Sequence, residues 1–280
     1  MSSEIPLGKF TDYQSPYSKE LLYAIERSPK RMELPHGEMP YIKGEIWGED
    51  IWNAYEISWL NPQGLPQVAV AEFRFAANSP IIVESKSLKL YLNSLNQMHF
   101  PTVEALAQLI EQDLQSVTQV KVKVIIKSLN TSDLQVNQME GVLLDDQQVS
   151  IDSYQYSPQL LQLSSADKDD PLSLIKETLV SHLLRSNCLI TNQPDWASIQ
   201  ISYTGQPICH QALLAYLVSF RHHNEFHEQC VERIFSDIMQ FCRPQKLTVY
   251  ARYTRRGGLD INPWRSNFEN QMPNIRLIRQ

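Results

Sequence analysis

Arg185-Ser-Asn-Cys188-Leu-Ile-Thr-Asn-Gln-Pro-Asp195-Trp-Ala-Ser-Ile-Gln-Ile-Ser-Tyr-Thr-Gly205 is the stretch from which the rest of the chain is read. Its middle, Thr191-Asn192-Gln193-Pro194, is a turn signal. Leu174 to Leu184 before it and Ala197 to Tyr203 after it read as strands. The turn can therefore bring Asp195 back towards Cys188. A cysteine attacks only as the thiolate, so a nearby base must take its proton. Asp195 could take that proton and return it as general acid, which near neutral pH needs a pKa raised by burial or by a neighbouring charge. Trp196 could help exclude water. On spacing alone, an ordinary buried cysteine beside a turn aspartate is the commoner reading.

Beyond this stretch, Gln211 to Arg221 and Glu225 to Phe241 read as helices, and Leu247 to Tyr253 alternates as a strand. The first half has the same plan. Trp52 to Leu60 and Val68 to Phe75 form a hairpin about the turn Asn61-Pro-Gln-Gly-Leu-Pro66. Ile81 to Leu92 opens apolar and turns helical, and Thr102 to Gln115 is a second helix capped by Thr102. Val120-Lys-Val-Lys-Val124 then alternates as a half-buried strand should. At an offset of 125 residues Leu88, Tyr91, Leu92 and Ser94 meet Leu213, Tyr216, Leu217 and Ser219. The shared order of hairpin, helix, helix, strand supports a repeat more than these identities do.

Thr131 to Lys168 is polar and reads as a trailing hairpin plus connector, which puts a boundary near residue 150. The expected fold class is α+β, with modules 1–150 and 151–280 of antiparallel strands carrying helices on one face. The first forty or so residues read as an arm with one short helix at Ser18 to Glu26.

A chain of 280 residues with a net charge of −6 and spread basic residues argues against a nucleic-acid surface as its main function. The N-terminus lacks the apolar core of a signal peptide, and no apolar run is long enough to span a membrane. The expectation is a soluble, cytoplasmic protein. Four cysteines without CxxC spacing are expected to be reduced there.

Three further stretches carry candidate chemistry. Glu84-Ser-Lys-Ser-Leu-Lys-Leu-Tyr91 begins a helix where a strand ends, with Ser85 a natural cap. Glu84 could accept hydrogen bonds from a heterocycle's N–H groups while Lys86 or Lys89 meets a phosphate. His223 and His227 stand four apart, but Asn224 occupies the place of a zincin's glutamate, so that zinc motif is broken. Arg255-Arg256-Gly257-Gly258 follows a strand, and arginines beside glycines can approach a phosphate closely. Neither a GxGxxG nor a Walker A motif is present.

Together these stretches resemble the NADPH-dependent 7-cyano-7-deazaguanine reductases, the nitrile reductases of queuosine biosynthesis, in their long two-module form. Glu84-Ser85-Lys86-Ser87-Leu88-Lys89 looks like the family's E-S-K-S-hydrophobic-K motif. Ser186 to Asp195 is similar to its catalytic segment, Phe226-His227-Glu228 to its substrate segment, and Arg255 to Pro263 to its C-terminal signature.

The resemblance implies two tandem tunnelling-fold modules, with ligands held where modules meet. It implies that Cys188 adds to a nitrile carbon to give a covalent thioimide, that Asp195 delivers the proton, and that His227 lies beside the reacting centre. Ile82, Val83, Glu84, His227 and Glu228 are then the substrate contacts. Ser85, Lys86, Arg256 and Gly257 are the contacts to NADPH, with no metal. The implied substrate is free 7-cyano-7-deazaguanine, without direct nucleic acid or membrane partners, and the implied assembly is a homodimer. A tunnelling-fold zinc cyclohydrolase and a silent binding module are the alternatives, separable by metal analysis and by alkylation of Cys188.

Overall fold

The computed structural model describes residues 16–130, 135–164 and 174–280. Residues 1–15 of the arm and parts of the expected connector lie outside the described residues. In chain order the elements are β1 (Ala24–Glu26), α1 (Ser28–Arg31), α2 (Met39–Ile42), β2 (Trp47–Leu60), β3 (Pro66–Ala76), β4 (Ile81–Val83), α3 (Ser85–Ser94) and α4 (Val103–Thr118). They continue as β5 (Lys123–Lys127), β6 (Val142–Leu143), β7 (Ile175–Asn187), β8 (Pro194–Gly205), α5 (His210–Ser219), α6 (His227–Phe241), β9 (Lys246–Tyr253) and β10 (Leu259–Ser266). The class is α+β, and both halves carry the plan of hairpin, two helices and strand.

The repeat is structural. The β2–β3 register breaks at a bulge between Ala54 and Ile57, and the β7–β8 register breaks 127 residues later, between Ser181 and Leu184. The identities between the halves hold each helix pair together. The hydroxyl of Tyr91 donates to Asp113 at 2.6 Å, and that of Tyr216 donates to Asp237 at 2.6 Å. Ser94 and Ser219 each donate to the carbonyl of the tyrosine three residues earlier, at 2.6 Å. A second tyrosine completes each carboxylate, Tyr17 at 2.9 Å and Tyr156 at 2.8 Å. A buried carboxylate stays only where such donors offset its lost hydration.

A strand absent from the sequence reading joins the halves. β10 pairs antiparallel with β2 along its whole length, from Leu259↔Ala54 to Ser266↔Trp47. The result is one eight-stranded sheet in the order β5-β3-β2-β10-β9-β8-β7-β6. Pro263 has no N–H to give a ladder, which argues against a central strand, and the preceding Gly-Gly reads as a turn. Pairing on both sides overrides those local signals. Two large hydrophobic cores and a small cluster of Ile51, Tyr250 and Trp264 lie along the sheet, and each large core takes residues from the other half. Leu259 and Ile261 join the first, while Tyr41, Ile46 and Ala77 join the second.

Four expectations are corrected. Ser18 to Glu26 is not a helix but a single 3-10 turn, Lys19–Leu21, followed by β1, because Ala24–Glu26 pairs with β4. β5 begins at Lys123 rather than Val120, because α4 ends through Gln119 at φ +63°. β9 is buried on both faces instead of half-buried. The C-terminal tail covers its second face, with Tyr250 donating to the Pro273 carbonyl at 2.8 Å and Arg252 donating to Gln280 at 3.0 Å. Within the expected trailing hairpin, Val142 and Leu143 instead pair parallel with Leu179 and Val180, the one parallel ladder in this sheet among the described residues. Among the described residues no helix is long and apolar enough to cross a membrane.

Candidate active site

A cleft lies where the halves meet. β4 and the start of α3 bring Ile82, Val83, Glu84 and Ser85 to it; the β7–β8 tip brings Cys188 and Asp195. The start of α6 brings Phe226, His227 and Glu228, and the β9–β10 turn brings Arg256. Ile25, Trp52 and Ile261 complete the walls.

The hairpin tip sets Cys188. Its amide donates to the Gln193 carbonyl at 2.8 Å, and its carbonyl accepts from the Asn192 amide at 3.0 Å, with Asn192 in the left-handed region at φ +55°. Asp195 follows three residues after Asn192, opposite Ser186 in the ladder. Burial pushes the Cys188 thiol up, but hydrogen bonds from the Thr191 hydroxyl, the Thr191 and Ile190 amides and Arg256 outweigh it. The net effect holds the thiol below its ordinary range and favours the thiolate. Thr191 was not singled out in the sequence, although a hydroxyl three residues past a turn cysteine is the available signal. Thr191→Val is expected to raise the Cys188 pKa by about one unit, the size of a lost hydrogen bond to a charged group. Alkylation of Cys188 followed against pH checks this, and an unchanged profile would contradict it.

Asp195 is buried beside Arg256 and His227. Arg256 Nη1 lies 3.0 Å from Oδ1, and His227 Nε2 lies 3.3 Å from Oδ2. Neither contact has hydrogen-bond alignment, since both nitrogens lack a bonded partner. Catalytic contacts commonly tighten only when a ligand arrives. His227 is held flat against Tyr253, ring centroids 4.0 Å apart and planes 27° apart. Arg256, read from sequence as a phosphate contact, therefore stands between the thiol and Asp195.

Two carboxylates face the same cleft. Glu84, not Ser85, caps α3, accepting from the Lys86 amide at 2.9 Å and the Ser87 amide at 2.8 Å. The Ser85 hydroxyl also donates to Oε1 at 3.4 Å, so the acceptor position left over is on Oε2. Glu228 is buried in the first turn of α6, and its Oε1 has no partner. An orphaned buried oxygen of this kind calls for a donor from a ligand.

Burial, followed by the charge of Asp50, pushes the Glu228 carboxyl up to about 7, against the pull of His227 and Arg27. Between the ordinary 4.5 and about 7, the folded protein keeps a proton that the unfolded chain has released. Stability therefore falls as pH rises through that window, and the full cost is present above it. Glu228→Gln removes the titration and is expected to stabilise the fold at pH 8 by on the order of 2 kcal/mol, with little effect at pH 4. Denaturant unfolding at both pH values checks this; a variant no more stable than wild type at pH 8 would contradict it.

Lys86 and Gly257 are not among the residues lining the cleft. Gly257 lies in an adjacent recess with Lys89, at φ +62°, and a Cβ there would stand 3.2 Å from Lys89 Nζ. Arg255 is turned onto the Tyr55 ring, 4.2 Å from its centroid. His223 pairs with Glu225 at 3.0 Å rather than with His227. Among the described residues no three His, Cys, Asp or Glu side chains converge as a metal site.

Comparison with known proteins gives the class first. Residues 13–126 match a family model described as nitrile reductase, 7-cyano-7-deazaguanine reductase N-terminal, and residues 194–272 match one described as QueF-like protein. That makes the chain an oxidoreductase of two-module build. It is 53% identical over 280 residues to the NADPH-dependent 7-cyano-7-deazaguanine reductase of Cupriavidus taiwanensis, and 52% identical to that of Cupriavidus necator, covering 98% of each chain in both cases. The protein belongs to the NADPH-dependent 7-cyano-7-deazaguanine reductase family. A solved apo archaeosine synthase of QueF-like type aligns with 36% of this chain and 97% of its own, at 16% identity and a TM-score of 0.30, an overlap too small to bear on the fold.

Proposed function

We propose that this enzyme reduces the nitrile of 7-cyano-7-deazaguanine to the primary amine 7-aminomethyl-7-deazaguanine through a covalent thioimide on Cys188. One observation carries the proposal: a buried thiol held below its ordinary pKa opens onto the same cleft as two acceptor carboxylates. The carboxylates suit a purine-like ring rich in N–H donors, with Glu84 and Glu228 accepting and Ile82 and Val83 against the ring. A nitrile is a weak electrophile, and covalent addition divides its reduction into easier steps.

Cys188 Sγ bonds to the nitrile carbon, and one π bond of the C≡N group is lost to nitrogen. Asp195 gives nitrogen its proton, and His227, 3.3 Å away, is the group placed to return one from solvent between steps. His227, braced on Tyr253, orients that carboxyl. Trp52 and Ile261 exclude water that would hydrolyse the thioimide.

NADPH, when bound, would supply the hydrides, two for each nitrile taken to an amine, and the carbon–sulfur bond to Cys188 breaks between them, returning the thiolate. The residues present suit its anionic phosphates. Arg256 and Lys89 are part-exposed cations beside a glycine turn whose backbone a ligand can approach. Ser85, Lys86, Arg256 and Gly257 are the proposed contacts. Modules 1–150 and 151–280 then divide the labour, the first giving Glu84 and the second the nucleophile. We extend the proposal to a cytoplasmic homodimer acting on the free base rather than on nucleic acid.

The test is NADPH oxidation dependent on the nitrile, with the product weighed by mass spectrometry. Two NADPH consumed per amine formed supports the proposal; no nitrile-dependent oxidation would overturn it.

A further inference from the structure

The described part of the N-terminal arm reaches both halves of the cleft. β1 pairs with β4, the Glu84 amide donates to the Tyr23 carbonyl at 2.9 Å, and the Tyr23 amide donates to Ser87 Oγ at 2.9 Å. The arm thus backs the strand that delivers Ile82, Val83 and Glu84. Arg27 then turns inward, its amide donating to the Pro80 carbonyl at 2.9 Å.

The Arg27 side chain is buried, paired with Asp50 on β2 and 3.6 Å from Glu232 Oε1 on α6. Glu232 also takes Arg31 and Arg265, each at 2.7 Å, and Arg265 holds Asp50 at 2.8 Å. Glu228 stands one turn before Glu232 on the same side of α6. The charged groups around it are Asp50 from β2, Arg27 and Arg31 from the arm, Arg265 from β10, and His227 and Glu232 from its own helix. Glu84 and Asp195 line the same cleft.

Three guanidinium groups thus meet two carboxylates, Asp50 and Glu232, and Glu228 stands one helical turn from the second. Asp50 and Glu232 are directly paired, whereas Glu228 keeps a buried oxygen without a partner. When a cation is lost, the unpaired carboxylate is the one to take up a proton. Resting on the proposed function, we propose that Arg27 is a positioning residue for substrate recognition, holding Glu228 ionised and ready to accept an N–H from the heterocycle. Arg27 Nε and Nη1 and Glu228 Oε1 are all buried without a hydrogen-bond partner among the described residues.

The test is the pH dependence, from 6 to 9, of the dissociation constant for 7-cyano-7-deazaguanine in wild type, Arg27→Gln, Arg27→Lys and Asp50→Asn. Arg27→Gln is expected to move the acidic limb up by about one unit, weakening binding ~5-fold at pH 7 with recovery towards pH 9. Arg27→Lys keeps the charge and should stay near wild type. Asp50→Asn removes the opposing charge and should move the limb down, which keeps the test decisive if Arg27→Gln fails to fold. Weakening by one factor at every pH, or an Asp50→Asn limb that does not move down, would overturn the proposal while leaving the reductase reading intact. No binding by wild type at any pH would overturn both.

Discussion

Cys188→Ala is expected to lower nitrile reduction by at least ~10³-fold, the scale seen when a covalent nucleophile is removed. The side chain lost is small, so the cleft keeps its form and Glu84 and Glu228 keep their places. Substrate affinity should therefore stay within about threefold, a change of under ~1 kcal/mol. Cys188→Ser should be as inactive, because the groups that favour a thiolate here, Thr191, two amides and Arg256, act on a group already able to ionise. A hydroxyl begins far higher, and hydrogen bonds of this size cannot bring it down to working pH. Steady-state rates beside equilibrium binding check the split. A variant retaining a tenth of wild-type activity would contradict the role given to the thiol.

Asp195→Asn is expected to lower kcat/KM by about 10²–10⁴-fold, the usual contribution of a positioned general acid. The same variant should leave the thiol at least as reactive. The thiol's hydrogen bonds come from Thr191, Ile190 and Arg256, and removing a neighbouring negative charge leaves Arg256 facing the thiolate alone. Iodoacetamide trapping of Cys188 should thus proceed at the wild-type rate or faster. Slower trapping would instead make Asp195 the base that generates the thiolate, as the sequence first suggested.

The fold was legible where local signals and tertiary pairing agree. The β2–β3 and β7–β8 hairpins have alternating faces and strong turn residues, and Thr102 caps α4 through the Ala105 amide at 3.2 Å. The repeat was legible in Tyr91, Ser94, Tyr216 and Ser219, though the reason they recur, two buried aspartates, needed the structure. β10 was hidden because Gly257, Gly258 and Pro263 read as turn, while its stability comes from partners on both sides. β1 was hidden for the same reason, since three residues of strand have no period of their own. Such strands are set by long-range contacts that no window of sequence contains.

The candidate site divides in a similar way. Cys188, Asp195, Glu84, His227, Glu228 and Arg256 were each visible as chemistry-bearing types, and all line one cleft. The thiol's support from Thr191 and the bracing of His227 by Tyr253 were not visible, because a hydroxyl or a ring becomes a partner only through its place in space. Arg27 was least visible of all. A lone arginine in a polar arm carries no motif, and its burial against Asp50 and Glu232 depends on three elements far apart in the chain.

The most direct measurement is the intact mass of the protein after mixing with 7-cyano-7-deazaguanine in the absence of NADPH, for wild type and Cys188→Ala. The expected result is wild type heavier by one whole substrate, the adduct absent from the variant and lost when NADPH is supplied. Folded, substrate-binding wild type that gains no mass would contradict covalent nitrile chemistry at this thiol.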